Sequence, residues 1–278
     1  MQSINQKIEL PFLSNCTIYI KREDLIHPIV SGNKFRKLKY NIVQAKGENK
    51  TQLLTFGGAY SNHIAAVAYA AKENGFRSIG IIRGDELKSR ISDNPTLRFA
   101  QKCGMEFDFV SREGYRLKEE RTFVENLKQK FGDFYLIPEG GTNELAIKGC
   151  EEILTQDDEI FNYICCSVGT GGTISGLINS LKPNQKVLGF PSLKGDFLGD
   201  EIRKFVKNNR WELIHDYHFG GYGKVNGKLI AFINSFLERT GIPLDPIYTG
   251  KMVFGVMDLI RANYFPDGSK ILLIHTGG

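Results

Sequence analysis

The chain has 278 residues, enough for one large domain or two modest ones with ample core. Hydrophobic residues make up 41% and charged residues 24%, the balance of an ordinary globular protein, and the 36 Lys and Arg against 31 Asp and Glu leave a net +5. That mild charge is spread along the chain and makes no case for nucleic acid. Regularly spaced apolar segments exclude disorder, collagen and coiled coil, and the one excess is glycine, with 30 residues against a usual share of about 7%.

In chain order the pattern predicts a strand at Thr17–Lys21, a helix at Lys34–Ala45, a strand at Gln52–Phe56 and a helix at Asn62–Asn74. A strand at Ser78–Ile82, a helix at Pro95–Lys102, a strand at Glu106–Val110 and a helix at Arg116–Gln129 follow. Next come a strand at Phe134–Ile137, a helix at Glu144–Leu154, a strand at Tyr163–Val168, a helix at Ile174–Leu181 and a strand at Lys186–Phe190. The last elements are a helix at Gly199–Lys207, a strand at Glu212–His215, helices at Lys228–Arg239 and Lys251–Ala262, and a strand at Ile271–Ile274. Such alternation argues for an α/β architecture with mostly parallel sheets.

The N-terminal MQSINQKIELPF lacks the basic-then-apolar pattern of a secretory leader, and no stretch approaches about 18 apolar residues. Five cysteines form no CxxC pair. Cys165 and Cys166 are adjacent in a strand, so their side chains point to opposite faces and read as buried thiols. A reducing, cytoplasmic setting is expected, with no membrane partner and no metal.

Much of the glycine follows strands: Gly57-Gly58, Gly84, Gly140-Gly141, and Gly169-Thr170-Gly171-Gly172, with Gly277-Gly278 closing the chain. In open parallel sheets ligands bind beyond the carboxyl ends of strands. Glycine permits close backbone approach there, although tight turns alone also use it. Val168-Gly169-Thr170-Gly171-Gly172-Thr173-Ile174 leads a strand into a helix, where freed N–H groups, the helix dipole and two threonine hydroxyls suit a phosphate. Ile174 breaks the dinucleotide fingerprint and no Gly-Lys-Ser/Thr ending makes a Walker loop, so a single phosphate on a small cofactor is expected. Gly57-Gly58-Ala59-Tyr60-Ser61-Asn62-His63 has the same form, and Ser61 suits either a plain helix cap or a carboxylate cradle. Lys34 opens a helix beside Arg36, Lys37 and Lys39, charges that lower its pKa and suit it to Schiff-base chemistry, although such lysines are also ordinary surface groups.

In order along the chain stand Glu23-Asp24, Ser31-Gly32-Asn33-Lys34-Phe35-Arg36-Lys37, Gly57–His63, Gly169–Thr173, Tyr248-Thr249-Gly250-Lys251 and His275-Thr276-Gly277-Gly278. Together they resemble the 1-aminocyclopropane-1-carboxylate deaminase / D-cysteine desulfhydrase family over nearly the whole chain. The family usually runs on past the final Gly-Gly. The resemblance implies a pyridoxal-phosphate enzyme, a lyase or deaminase, with the tryptophan synthase β-like fold (fold type II). That fold has two α/β lobes of open twisted sheets with flanking helices. It implies a large cofactor-binding domain of residues 1–46 plus 150–278 and a smaller inserted domain of residues 47–149, with the cofactor between them and a homodimeric assembly.

The same resemblance assigns residues. Lys34 matches the lysine that forms the Schiff base with pyridoxal phosphate, Lys37 a lysine near the phosphate, and Asn62 the asparagine on the ring oxygen. Gly169, Thr170, Gly171, Gly172 and Thr173 match the phosphate loop. Ser61 matches the serine that meets the substrate carboxylate, with Tyr60, Asn62 and His63 beside it as substrate-binding residues. Tyr248 and Tyr222 match two active-site tyrosines. Thr249 and Thr276 stand where the deaminases carry glutamate and leucine, and His63 where they carry glutamine; in all three places the chain looks like the desulfhydrases. The expected reaction on a small amino-acid substrate is β-elimination from D-cysteine to pyruvate, sulfide and ammonia. The alternatives are deamination of 1-aminocyclopropane-1-carboxylate to 2-oxobutanoate, and a non-catalytic binding protein that keeps the fold.

Overall fold

A computed structural model describes residues 3–30 and 32–277; Ser31 of the lysine motif and the closing Gly278 lie outside the described residues. The chain divides into one unit of residues 1–37 and 146–278 and a second of residues 38–145. The two boundaries fall inside helices α1 (Asn33–Gly47) and α5 (Glu144–Glu151).

The larger unit holds a six-stranded sheet. Its strands are β1 (Asn5–Ile8), β2 (Thr17–Lys21), β7 (Tyr163–Val168), β8 (Lys186–Pro191), β9 (Trp211–Leu213) and β10 (Lys270–Ile274), in the order β1-β2-β10-β7-β8-β9. All pairs are parallel except β1 with β2. Its inner strands are runs of Ile, Val, Leu and Cys, buried on both faces as a covered parallel sheet requires. On one face, Cys165, Leu188, Phe190 and Leu273 pack with α8 (Gly227–Thr240) and α9 (Thr249–Arg261). On the other, Ile164, Cys166, Val168 and Leu272 pack with α5, α6 (Gly172–Asn179) and α7 (Leu198–Arg203). Cys165 and Cys166 thus enter opposite cores, both fully buried, and all five cysteines are free thiols.

The second unit is a four-stranded parallel sheet in the order β5-β4-β3-β6, from β3 (Gln52–Gly58), β4 (Arg77–Arg83), β5 (Met105–Val110) and β6 (Tyr135–Ile137). Helices α2 (Asn62–Glu73) and α3 (Pro95–Lys102) pack on this sheet. Leu127 of α4 (Arg121–Phe131) joins Leu54, Phe56, Ile79 and Ile81 in a core of its own.

Three expectations from the sequence need correction. Strand β1 was not expected, because NQKI is polar and pairs along only one edge. The helix expected over Arg116–Gln129 starts later: Gly114–Leu117 forms a 3-10 turn, and Glu120 takes an extended conformation before α4 begins at Arg121. The strand expected to reach His215 ends at Leu213, since His215 opens another 3-10 turn. Among the described residues, no helix is long and apolar enough to cross a membrane, and no group of three or more His, Cys, Asp or Glu could hold a metal ion.

Candidate active site

In the larger unit the carboxyl ends of β2, β10, β7 and β8 lie in register, with Lys21 opposite Ile274, Leu273 opposite Cys165 and Val168 opposite Pro191. The chain leaving β2, β7 and β10 carries Lys34 and Lys37, the Gly169–Thr173 loop and Thr276 in turn. After β7, Gly169 and Thr170 lead to Gly171, which caps α6 at φ 85°, a left-handed conformation that favours glycine. A side chain at Gly169 would press on the Tyr248 ring, whose nearest atom lies 3.2 Å from its Cβ position. The N–H groups of the first turn of α6 have no acceptor within the helix, so this end is built to receive an anion.

Lys34 and Lys37 sit one turn apart at the start of α1. Gly32 (φ 59°) turns the chain so tightly against Thr276 that an added Cβ would overlap the Thr276 carbonyl, and Asn33 N–H donates to that carbonyl at 3.1 Å. Asn33 then links lysine and loop. Its amide Nδ2 donates to Thr173 Oγ1 at 2.8 Å, and its Oδ1 accepts from Lys34 Nζ at 3.2 Å. Burial of the amine, reinforced by the charge of Lys37, lowers the Lys34 pKa to about 7. Burial also lowers Lys37, which is 2% exposed. The thiols near these lysines are held protonated, Cys150 pushed up to about 11 and Cys166 to about 12 by burial.

The helix start is anchored by a buried ion pair. Arg36 donates through Nε and Nη2 to the two oxygens of Glu23, each at 2.9 Å, and the Glu23 carbonyl accepts from Gly32 N–H at 3.0 Å. The motif residues Glu23 and Arg36 therefore act by positioning the lysine segment.

After β10, Thr276 Oγ1 lies 3.3 Å from Ser167 Oγ of β7, so the two neighbouring strand ends present a pair of hydroxyls. His275 braces this turn: its Nε2 lies 2.6 Å from the Pro243 carbonyl, and its Nδ1 accepts from Gly277 N–H at 3.3 Å. Thr249 is differently placed. It is fully buried at the start of α9, its hydroxyl donates to Asp245 Oδ2 at 2.6 Å, and it accepts from Asp245 N–H at 2.9 Å. Asp245 also accepts from the N–H groups of Ile247, Tyr248 and Thr249, so this carboxylate is consumed in capping the helix. The single hydrogen of the Thr249 hydroxyl is committed to that cap.

Tyr248 and Tyr222 meet edge to face, ring centroids 6.1 Å apart. Tyr222 lies in an irregular segment that Lys251 holds. The buried Lys251 ammonium donates to the carbonyls of His218 and Gly221, each at 2.9 Å. Neither this tie nor Ser167 and Asp245 was legible as part of the site, because each contact joins residues that are remote in sequence or chemically ordinary.

The second unit carries the other expected group. Ser61 caps α2, its hydroxyl accepting from His63 N–H at 3.3 Å. Tyr60 and Asn62 are exposed beside it. His63, expected at the substrate, is buried: its Nε2 lies 2.8 Å from Thr55 Oγ1, and that hydroxyl donates to the Ile137 carbonyl, so the imidazole is the donor to Thr55. Its ring ties α2 to β3.

The donor set of the larger unit fits pyridoxal phosphate. A glycine loop at a helix start and the buried Lys37 suit a phosphate dianion, the Lys34 amine with a pKa near 7 suits a carbonyl, and hydroxyls suit a ring nitrogen. A family model described as pyridoxal-phosphate dependent enzyme matches residues 4–277. A mitochondrial Arabidopsis thaliana protein named bifunctional D-cysteine desulfhydrase/1-aminocyclopropane-1-carboxylate deaminase is 31% identical over 97% of this chain and 74% of its own. A Klebsiella pneumoniae D-cysteine desulfhydrase is 28% identical over 94% of this chain and 86% of its own. A solved structure of an ACC deaminase homologue is 32% identical with a TM-score of 0.84, covering 100% of this chain and 89% of that one.

Proposed function

The chain belongs to the pyridoxal-phosphate-dependent enzymes, and from that premise we propose that it catalyses β-elimination from D-cysteine, with water giving pyruvate, sulfide and ammonia. Pyridoxal phosphate, when bound, draws electrons away from the substrate Cα, and the protein sets how strongly it does so. The observation that carries the reading is the hydroxyl pair of Ser167 and Thr276 at the ends of β7 and β10. A carboxylate there would keep a ring nitrogen protonated; a hydroxyl holds that proton poorly, and the carboxylate of Asp245 is spent on the cap of α9. A weaker electron sink suffices to expel a thiolate, since a thiol with pKa of about 8.5 is a good leaving group. Opening a cyclopropane has no such leaving group.

The roles of the chain's own residues follow. Lys34, with a pKa of about 7, offers a largely neutral amine just above neutrality, able to attack a carbonyl and to accept a proton from Cα. The Gly169–Thr173 loop and Lys37 hold the phosphate. Ser61 and the first amides of α2 hold the substrate carboxylate, and Tyr248 with Tyr222 supplies hydroxyls for proton transfer. The membership of a protein bearing both activity names in this set of relatives supports a second reading, deamination of 1-aminocyclopropane-1-carboxylate. Incubation with each substrate separates the two: D-cysteine is expected to release sulfide and pyruvate in equal amounts, while 2-oxobutanoate as the sole oxoacid would favour the deaminase.

A further inference from the structure

One group at the same strand ends belongs to none of the motifs that the sequence singles out. Ser192 follows the last residue of β8 and is 1% exposed. Its N–H donates to the Val168 carbonyl at 2.9 Å, which sets it directly beside the residue that opens the phosphate loop. Its Oγ is fully buried and has no hydrogen-bond partner among the described residues. A buried hydroxyl left without a partner costs stability, so its retention calls for an explanation.

The surroundings supply one. The N–H bond of Ser192 to Val168 continues the β7–β8 ladder by one residue, and strand alternation carried that far puts Ser192 in phase with Leu188 and Phe190, which pack with α8 and α9. Tyr248, which precedes α9, comes within 3.2 Å of the Cβ position of Gly169, the residue after Val168. Two residues further on, the Lys194 backbone nitrogen lies 3.8 Å from the Cβ position of Gly221, next to Tyr222. Ser192 therefore lies between the opening of the phosphate loop and the segment that carries Tyr222, and Tyr222 and Tyr248 in turn meet each other.

We propose that Ser192 is a latent cofactor contact: its hydroxyl is unpaired in the cofactor-free protein and hydrogen-bonds to pyridoxal phosphate once that group is bound. The strand end thus trades stability of the empty protein for affinity. The inference rests on the family's cofactor and adds a residue that no motif marks.

The trade predicts opposite signs from one substitution. Cofactor-free Ser192→Ala protein should melt about 2–4 °C higher than wild type, because the orphaned hydroxyl is gone. Titration of the same protein with pyridoxal phosphate, followed by tyrosine and tryptophan fluorescence, should show affinity weakened about fivefold. Ser192→Cys, which keeps the shape but bonds weakly, should lose affinity as Ala does. Unchanged affinity in Ser192→Ala, or affinity kept by Ser192→Cys and lost by Ser192→Ala, would overturn the proposal. So would a melting temperature of Ser192→Ala at or below wild type, since the hydroxyl would then have a partner, such as a held water, in the empty protein. A wild-type protein that takes up no pyridoxal phosphate would overturn the family reading as well, and is told apart from a null result confined to Ser192.

Discussion

Lys34 carries the account at the scale of single residues. Its folded pKa of about 7 lies well below the ordinary lysine value, first through burial and then through the charge of Lys37. The amine is therefore mostly protonated below pH 7 and mostly neutral above it. Uptake of pyridoxal phosphate by the cofactor-free protein should accelerate from pH 6 to pH 8 and level off, with a midpoint near 7; stopped-flow absorbance reads this directly, and a flat profile would remove Lys34 as the titrating group. Lys34→Ala protein should lose both the visible band and turnover. Thr249 makes a contrasting case. With its hydroxyl donating to Asp245 at 2.6 Å, a Thr249→Glu change would set two carboxylates together inside the cap of α9. We expect that variant to lose about 1–3 kcal/mol in urea unfolding. Full stability would mean that position 249 faces elsewhere.

Among the elements, α1 carries Lys34 and Lys37 and α9 follows directly on Tyr248, the residues given roles in the proposed reaction, and both helices are held by buried polar ties. Arg36 and Glu23 pin the start of α1, with side chains 5% and 0% exposed. Breaking such a pair from one side leaves the buried Arg36 charge with the more distant, partly exposed Glu152 carboxylate at 3.9 Å, so Glu23→Gln should cost about 3 kcal/mol, measured by chemical denaturation. A loss within the range of a surface pair, below about 1 kcal/mol, would contradict the anchoring role. Lys251 ties α9 to the Tyr222 segment through two carbonyls. Lys251→Met should strand both and lower kcat more than KM, as Tyr222 loses its support while phosphate and carboxylate binding stay in place. How much of this was legible follows from its physical origin. The strands and the Gly169–Thr173 loop follow from local pattern, apolar runs ending in glycine, and were read to within a few residues. The edge strand β1 was not, because its pairing with β2 is set by a partner and not by its own composition. The buried state of His63 and the cap that consumes Thr249 were hidden for the same reason: Thr55 and Asp245 give no sequence signal of where their hydrogen bonds go.

For the whole molecule, the sheet order β1-β2-β10-β7-β8-β9 brings the last strand of the chain between an early one and a middle one. That arrangement places Thr276 beside Ser167, and Asn33 beside both Thr173 and the Thr276 carbonyl. No window of sequence shows these meetings, yet the ordered set of motifs implied the family, whose model spans residues 4–277. Family membership leaves the substrate open, since relatives at similar identity bear one activity name or both. The claim that hydroxyls at the strand ends favour elimination over ring opening is tested most directly by supplying the purified, cofactor-loaded protein with D-cysteine and with 1-aminocyclopropane-1-carboxylate and measuring sulfide and each oxoacid. Sulfide and pyruvate are expected in equal amounts from D-cysteine, at a rate well above any 2-oxobutanoate release; 2-oxobutanoate from the cyclopropane with no sulfide from D-cysteine would contradict the claim.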